Sequence, residues 1–234
     1  MALGSYDANG IWHYGESDNI ALFSDTLNKL ADSASSAITA DRSRLATLEA
    51  GSLSGLIPLI PVSVTAVTGT AAVNSLGVIT VTACTKVILN GIFTSGYKRY
   101  KIVYQNLLGT LNTSLLARFT SAGTESSASY YEALGNIYAT AGFTNGSSQN
   151  VAQIQIGLLH NAGAWGNGFL ELSNIATTAH TTHTTLHSGY DSSSQTRSVF
   201  GGGFHNVSTS YDGISILANT GNFTGTIQVF GYND

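Results

Sequence analysis

Apolar side chains recur at every third or fourth position in the N-terminal part of the chain. This stripe consists of Ile20, Phe23, Leu27, Leu30, Ala34, Ile38, Leu45 and Leu48. Spacings of three and four place side chains on one face of a helix. Because Ser17 or Asp18 can cap the first turn and Gly51 can end the last one, the pattern predicts a helix over 18–50.

The predicted helix has a narrow apolar face, because Ser, Asp, Lys, Arg and Thr fill the rest of its surface. A narrow stripe is typical of a coiled-coil seam, although Asp41 falls on its continuation. We therefore expect an oligomer seam formed by Ile20, Phe23, Leu27, Leu30, Ile38, Leu45 and Leu48. The alternative is an amphipathic helix that packs on its own domain.

After Gly51 the pattern changes to strict alternation. The stretches "VSVTAV" from Val62 and "VITVTA" from Val78 alternate aliphatic side chains with Thr or Ser. In "VAQIQIGLL" (151–159) Ile154, Ile156 and Leu158 share one side, and the terminal "TIQVF" alternates in the same way. Such alternation predicts strands with one face in a core. About eight to ten strands predict a mainly β head, an antiparallel two-sheet sandwich that resembles a jelly roll.

Charge is sparse and unevenly distributed. Charged residues make up 9% of the chain, and the first fifty residues hold seven acidic against three basic side chains. The remaining residues hold six of each, so no basic surplus favours a nucleic-acid partner. Lys98, Arg99 and Lys101 form one basic cluster, which we interpret as a solvated edge strand.

The sequence also predicts the compartment in which the chain folds and whether the chain inserts into a membrane. Cys84 is the one cysteine, so no intrachain disulfide can form. The N-terminus lacks the basic start and apolar run of a signal peptide, and we expect folding in a reducing cytoplasm. Residues 50–85 carry no charge, but Pro58, Pro61 and many Ser and Thr interrupt them. We therefore expect no membrane insertion.

These patterns divide the chain into four expected segments: an arm over 1–17, a helical coiled-coil stalk over 18–50, an uncharged β connector over 51–84 and a β-sandwich head over 85–234. A single chain would leave the helix stripe exposed to water. We therefore expect a homo-oligomer.

Several stretches resemble one family of proteins. They are "VILNGIFTSGYKRYKIVY" (87–104), "SLLARFTSAG" (114–123), "FTGTIQVFGY" (223–232) and "GIWHYGESDNIALFSDTLNKLADS" (10–33). They resemble the ends and head-domain strands of phage tail fibre and minor tail proteins, notably those of phages of actinobacteria. The resemblance implies a homotrimeric virion component, assembled in the host cytoplasm. Its N-terminal arm would attach to a tail or baseplate protein, and its heads would contact the host surface.

The stretch "AHTTHTTLHSGY" (179–190) contains three of the six histidines. On a strand, His183 and His187 share a face and His180 points the other way. Two imidazoles per chain fall short of the three or four ligands that zinc needs, unless a trimer axis supplies more. The alternatives are a polar surface strand and a pH-sensitive interface. We expect neither a metal nor a cofactor.

Binding fits the sequence better than catalysis. The carboxylates of the head are scattered, and no G-x-S-x-G motif is present. Saccharide sites combine aromatic faces with amides and hydroxyls. We therefore expect a host surface glycan to contact Trp165, His183, His187, Tyr190 and Asp191. The alternatives are a decoration or structural fibre that binds no receptor and, third, a glycan-degrading enzyme.

Overall fold

The computed structural model describes residues 5–13, 21–49, 55–138, 142–161, 165–190 and 196–233. The chain divides into two compact units, Met1–Ser54 and Gly55–Asp234.

The N-terminal unit contains a small hairpin and one helix. Strands β1 (Ser5–Tyr6) and β2 (Trp12–His13) pair antiparallel, and α1 spans Ala21–Glu49. The Asp7 carboxylate accepts hydrogen bonds from the backbone N–H groups of Asn9 at 2.8 Å and Ile11 at 3.0 Å, which fixes the turn. A hydrogen bond with Ser35 of the helix and these turn contacts hold the pKa of Asp7 well below its usual value.

Helix α1 confirms the helix that the apolar spacing predicts. Leu30 is 66% exposed, Ile38 is 37% exposed and Leu45 is 54% exposed. Leu27 is half-buried. Ile20 lies outside the described residues, and only the backbone of Phe23 and Leu48 is described. The described part of the stripe is thus largely exposed in a single chain, and its role as an oligomer seam stays a prediction.

The second unit is an antiparallel β-sandwich. Its strands are β3 (Gly55–Leu59), β4 (Ser63–Val67), β5 (Thr70–Val73), β6 (Val78–Cys84), β7 (Lys86–Asn90), β8 (Arg99–Gly109), β9 (Thr113–Ser121), β10 (Thr124–Glu125), β11 (Tyr130–Tyr138), β12 (Gly142–Val151), β13 (Ile154–Leu159), β14 (Gly166–Ser173), β15 (Thr181–Tyr190), β16 (Thr196–His205), β17 (Gly213–Ala218) and β18 (Phe223–Asn233). Within the described residues, six strands form one sheet and ten form the other. The arrangement is compatible with a jelly roll.

The order of strands is β10-β9-β17-β7-β4 in the six-stranded sheet, where β13 also pairs with β9. The ten-stranded sheet runs β12-β11-β16-β15-β14-β8-β18-β6-β5, and β3 also pairs with β18. One hydrophobic core draws on both sheets. Leu89, Phe119 and Ile214 come from the first sheet, and Ile102 and Leu170 come from the second.

The structure corrects four expectations about the fold. The expected connector over 51–84 is not a separate segment, because β3 to β6 are hydrogen-bonded into the two sheets. The boundary between units lies at 54/55 instead of at 84/85. The basic cluster does not mark an edge strand, because β8 lies between β14 and β18.

The fourth correction concerns the alternation in β13. A β-bulge between Gln155 and Gly157 shifts the register, so Leu159 is buried and Leu158 is only half-buried. The expected inward direction of Leu158 is therefore wrong. In β18 the alternation is confirmed, because Ile227 and Val229 are buried while Gln228 and Phe230 are half-buried.

Within the part of the chain that the structure describes, no helix combines the length and the apolar character that crossing a bilayer requires.

Candidate functional site

The outer face of the ten-stranded sheet carries an unusual pattern on strand β16. Phe200, Gly202 and Phe204 point away from the core, whereas Val199 and His205 are buried beneath the sheet. Phe200 is 39% exposed and Phe204 is 40% exposed. Since large aromatic side chains usually face a core, their outward direction makes this face a candidate interaction surface.

Each of these phenylalanines stacks on an aromatic side chain of another strand. Tyr131 of β11 lies against Phe204 with ring centroids 4.9 Å apart and planes 2° from parallel. Phe143 of β12 stacks on Phe200 at 6.0 Å and 21°. Phe143 is 60% exposed. Stacking across strands fixes the ring planes, so the face presents two preoriented aromatic pairs.

Glycine makes the second aromatic pair possible. A Cβ atom on Gly135 would lie 2.6 Å from Cζ of Phe200 and 2.8 Å from Cε2 of Phe143. The two rings therefore fold over the backbone of β11 where a side chain would otherwise stand. Substitution of Gly135 would displace both rings.

A shallow groove separates the two aromatic pairs. In the strand register Gly202 lies opposite Ala133 of β11 and Thr184 of β15, and Ala133 lies opposite Ser147 of β12. The part of the groove beside Phe143 and Phe200 has a volume of about 480 Å³, and the part beside Tyr131 and Phe204 about 260 Å³. Small and hydroxyl side chains thus line the floor between aromatic walls.

A charged cluster lies on the same face, on strands β14, β8 and β18. Lys101 Nζ is 3.1 Å from Glu171 Oε1, and the Tyr232 hydroxyl donates to the same oxygen at 2.5 Å. The Arg99 guanidinium lies 4.4 Å from the centroid of the Tyr232 ring, and Lys101 Nζ lies 4.0 Å from that of Phe169. Burial alone would raise the pKa of Glu171, but the hydrogen bonds from Tyr232 and Lys101 lower it below its usual value.

The structure brings together two of the five glycan contacts that the sequence predicts. Trp165 is 40% exposed and Tyr190 is 41% exposed. The Tyr190 backbone N–H donates to the Trp165 carbonyl at 3.4 Å, so the two residues are neighbours at the ends of β14 and β15. Asp191 lies outside the described residues. A glycan contact at Trp165 and Tyr190 stays a prediction.

His183 and His187 occupy a different place. They share one face of β15, as the alternation predicts, but that face lies in the core, and the two side chains are 4% and 0% exposed. The interpretation of 179–190 as a surface strand is therefore wrong for one of its faces. A ligand at the surface cannot reach these imidazoles, so the five predicted residues do not assemble into one surface site.

The buried imidazoles fit tightly among glycines and an aromatic ring. His187 stacks on Tyr104 with centroids 5.8 Å apart, and a Cβ on Gly166 would lie 2.4 Å from its Cε1 atom. Burial lowers the pKa of both His183 and His187 to about 4, and the neighbouring His205 and His160 add to the effect. Across the described residues, no three His, Cys, Asp or Glu side chains are grouped so as to hold a metal ion.

The sequence contains a signal for the aromatic face that no catalytic or ligand-binding motif marks. In "FGGGF" (200–204) two phenylalanines share one face of a strand and glycines occupy the other positions. Taken as a candidate phosphate loop, the stretch carries no function, because no helix follows it. Taken as a strand, it places two rings on one face with a gap between them.

No protein-family model matches the chain, and a search of curated proteins finds no match. The function is therefore argued from the site itself.

Proposed function

We propose that this chain is a host-attachment fibre protein of a phage virion and that its β-sandwich binds a host cell-surface glycan. The observation that carries the proposal is the pair of exposed aromatic stacks, Tyr131 with Phe204 and Phe143 with Phe200, on either side of a groove.

Sugar rings have apolar C–H faces and polar hydroxyl edges, and this surface complements both. The four aromatic rings offer flat apolar area at fixed positions, which lowers the entropy lost on binding. Asn145, Ser147 and Thr184 place amide and hydroxyl groups on the same face of the sheet, where they can exchange hydrogen bonds with sugar hydroxyls. The proposed role is binding and includes no catalytic step.

The resemblance to tail fibre and minor tail proteins supports the place of this protein in a virion tail. In that setting three chains associate, and the arm over 1–17 attaches them to a tail or baseplate protein. The exposed Leu30 and Leu45 of α1 provide apolar surface for such an association.

A structural fibre that binds no receptor is the second candidate. It is favoured by exposed aliphatic side chains near the start of the sandwich, where Ile60 is 54%, Val62 84% and Leu76 67% exposed. Surface of this kind fits contact between subunits. If this candidate is right, the protein forms a stable oligomer that does not co-sediment with any cell wall.

Co-sedimentation of the full chain with purified cell walls from a panel of bacteria, actinobacteria included, tests the proposal. We expect binding to at least one wall. Phe143→Ala and Phe200→Ala should each weaken it about tenfold, because each change removes one stacking ring. Leu111→Ala, which trims an exposed apolar side chain in another part of the sandwich, is the matched control. Absence of binding to every wall, or equal binding by all variants, would contradict a glycan site on this face.

A further inference from the structure

The groove between the aromatic pairs crosses four strands of the ten-stranded sheet. Strand register places Ser147, Ala133, Gly202 and Thr184 side by side on β12, β11, β16 and β15. The two parts of the groove share Ala133 and Ser147 in their lining, so they form one continuous depression. With about 4.8 Å between neighbouring strands, this row of four residues is roughly 14 Å long. The row therefore has room for several linked sugar rings.

Larger side chains border the row on both sides. Phe204 and its stacking partner Tyr131 lie along one side. Phe200 lies along the other side, where the exposed Leu186 of β15 is opposite it in register. A ligand that lies along the row would therefore contact apolar side chains on both of its flanks.

The described side chains that point outward around the groove carry no charge. On β11, β12, β15 and β16 outward positions alternate along each strand, and none of those described is Asp, Glu, Lys or Arg. Glu132 and Arg197 occupy inward positions, and the Glu132 carboxylate accepts a hydrogen bond from the backbone N–H of Gln155 at 2.9 Å. Beyond these four strands, the outward Glu171 of β14 is already paired with Lys101 of β8 at 3.1 Å.

The lack of charge restricts the ligand. A charged group of a ligand would lose hydration in the groove without meeting an opposite charge. Ser147 and Thr184 expose hydroxyl groups at the two ends of the row, and Asn145 exposes an amide on the same face of β12. Hydroxyls and amides both donate and accept hydrogen bonds, as sugar hydroxyls do. Apolar flanks with neutral polar groups between them match a neutral saccharide.

We propose that the row binds a linear, uncharged glycan that lies across the strands, with its sugar rings between the two aromatic pairs. This inference rests on the proposed glycan-binding function and names the substrate class of the site. It excludes glycans that are recognised through phosphate, sulfate or carboxylate groups, because the groove provides no charge that would select them.

Two measurements on a cell wall that binds the full chain test whether the ligand is uncharged. Binding should change by less than about twofold between about 50 mM and about 500 mM NaCl, because salt screens contacts between charges and leaves neutral contacts intact. Fragments of the same wall, released by partial hydrolysis and separated on an anion exchanger, then serve as competitors. Fragments that pass through the exchanger should displace the chain about tenfold better than fragments that the exchanger retains.

Opposite charges at one position distinguish a neutral from a charged ligand. Ser147→Asp and Ser147→Lys should each weaken wall binding about tenfold, because either charge loses water in the groove. An anionic glycan would instead bind Ser147→Lys more tightly and Ser147→Asp more weakly. Thr80→Asp and Thr80→Lys, which change an exposed side chain of β6 in another part of the same sheet, are the matched controls and should bind normally.

The length of the ligand tests its position across the strands. Among the neutral fragments, oligosaccharides should compete about tenfold better than single sugars, because only the longer fragments span the row. Thr184→Tyr, which fills the end of the row on β15, should remove most of this advantage. Thermal unfolding of each variant checks that the sandwich remains folded.

Each other result overturns the inference. Loss of binding at high salt, displacement by the retained fragments alone, or Ser147 variants with opposite effects or no effect would rule out an uncharged ligand in the groove. An advantage of length that is absent, or that persists in Thr184→Tyr, would rule out the position across the strands. If Phe143→Ala and Phe200→Ala still weaken wall binding in these cases, the proposed function stands.

Two results would overturn the proposed function together with the inference. The first is failure of the unaltered chain to bind any cell wall. The second is a fall in molar mass in Phe200→Ala, which would identify a second copy of the chain as the occupant of the groove.

Discussion

His183 and His187 place two neutral imidazoles in the interior of the sandwich. Within the described residues their ring nitrogens have no hydrogen-bond partner, so each proton added there would also add a buried, uncompensated charge. The folded-state pKa of about 4 lies below the value near 6.5 of an imidazole in water. Between these values the unfolded chain binds more protons than the folded chain, so acid favours unfolding.

The stability of the sandwich should therefore be highest above about pH 6.5 and should fall toward pH 4, by about 1.4 kcal/mol per pH unit for each of the two histidines. Urea unfolding between pH 7.5 and 4.5 measures this slope. His187→Leu should remove the contribution of one histidine, about 1.4 kcal/mol per pH unit, whereas His180→Asn, which changes an exposed histidine, should leave the slope unchanged. A slope that His187→Leu leaves unchanged would assign the acid sensitivity to other groups.

At the scale of elements, the bulge in β13 creates a polar seam, a set of buried hydrogen bonds that joins the two sheets. The bulge takes Ile156 out of the register with β9, and its carbonyl accepts hydrogen bonds from Thr185 Oγ1 at 2.9 Å and from the Tyr104 hydroxyl. Two side chains of the ten-stranded sheet thus satisfy a backbone group of the other sheet. The seam fixes how the two sheets are positioned, because a sliding motion would leave the carbonyl unpaired.

Thr185→Val should destabilise the sandwich by about 1–2 kcal/mol, since it removes a buried donor from the Ile156 carbonyl at nearly constant volume. Thr184→Val is the matched control on the same strand, because Thr184 points to the exposed outer face. Its effect on stability should stay within about 0.5 kcal/mol. Chemical denaturation compares the two variants, and equal losses would show that the seam contributes little.

Elements also differ in how far the sequence predicts them. The spacing in α1 and the alternation in β18 carry a clear signal, because apolar side chains mark one face. Strand β15 has polar side chains on both faces, so its pattern cannot tell which face is buried. Strand β16 reverses the usual rule: phenylalanines face outward, while Gly201 and Gly203 face inward, where a Cβ would lie 2.2 Å and 1.8 Å from backbone oxygens of β11. The stretch "FGGGF" places two rings on one face of the strand, but neither the outward direction of that face nor the register with the neighbouring strands is encoded locally.

At the scale of the whole molecule, the proposed fibre depends on association of several chains. The exposed stripe on α1 is the part of the N-terminal unit best suited to it, because burying Leu30 and Leu45 removes apolar area from water. The resemblance that underlies the fibre proposal implies three chains.

Light scattering of the full chain at micromolar concentration should therefore give a mass near three chains. Leu30→Gln combined with Leu45→Gln should lower that mass if the helix carries the association, whereas Arg44→Gln should not. A trimer that survives the double change would place the main contact in the sandwich. A monomer of the unaltered full chain would contradict the fibre proposal.

The position of β18 determines when the sandwich can form during synthesis. This strand lies between β8 and β6 and also pairs with β3, so it joins segments that are made long before it. Until residues 223–233 leave the ribosome, these strands keep open edges and the larger sheet stays divided. Folding of the sandwich can therefore be completed only after residues 223–233 have been translated. Pairing of strands that lie so far apart in the sequence is slow. Any association that uses the finished sheet has to come later still.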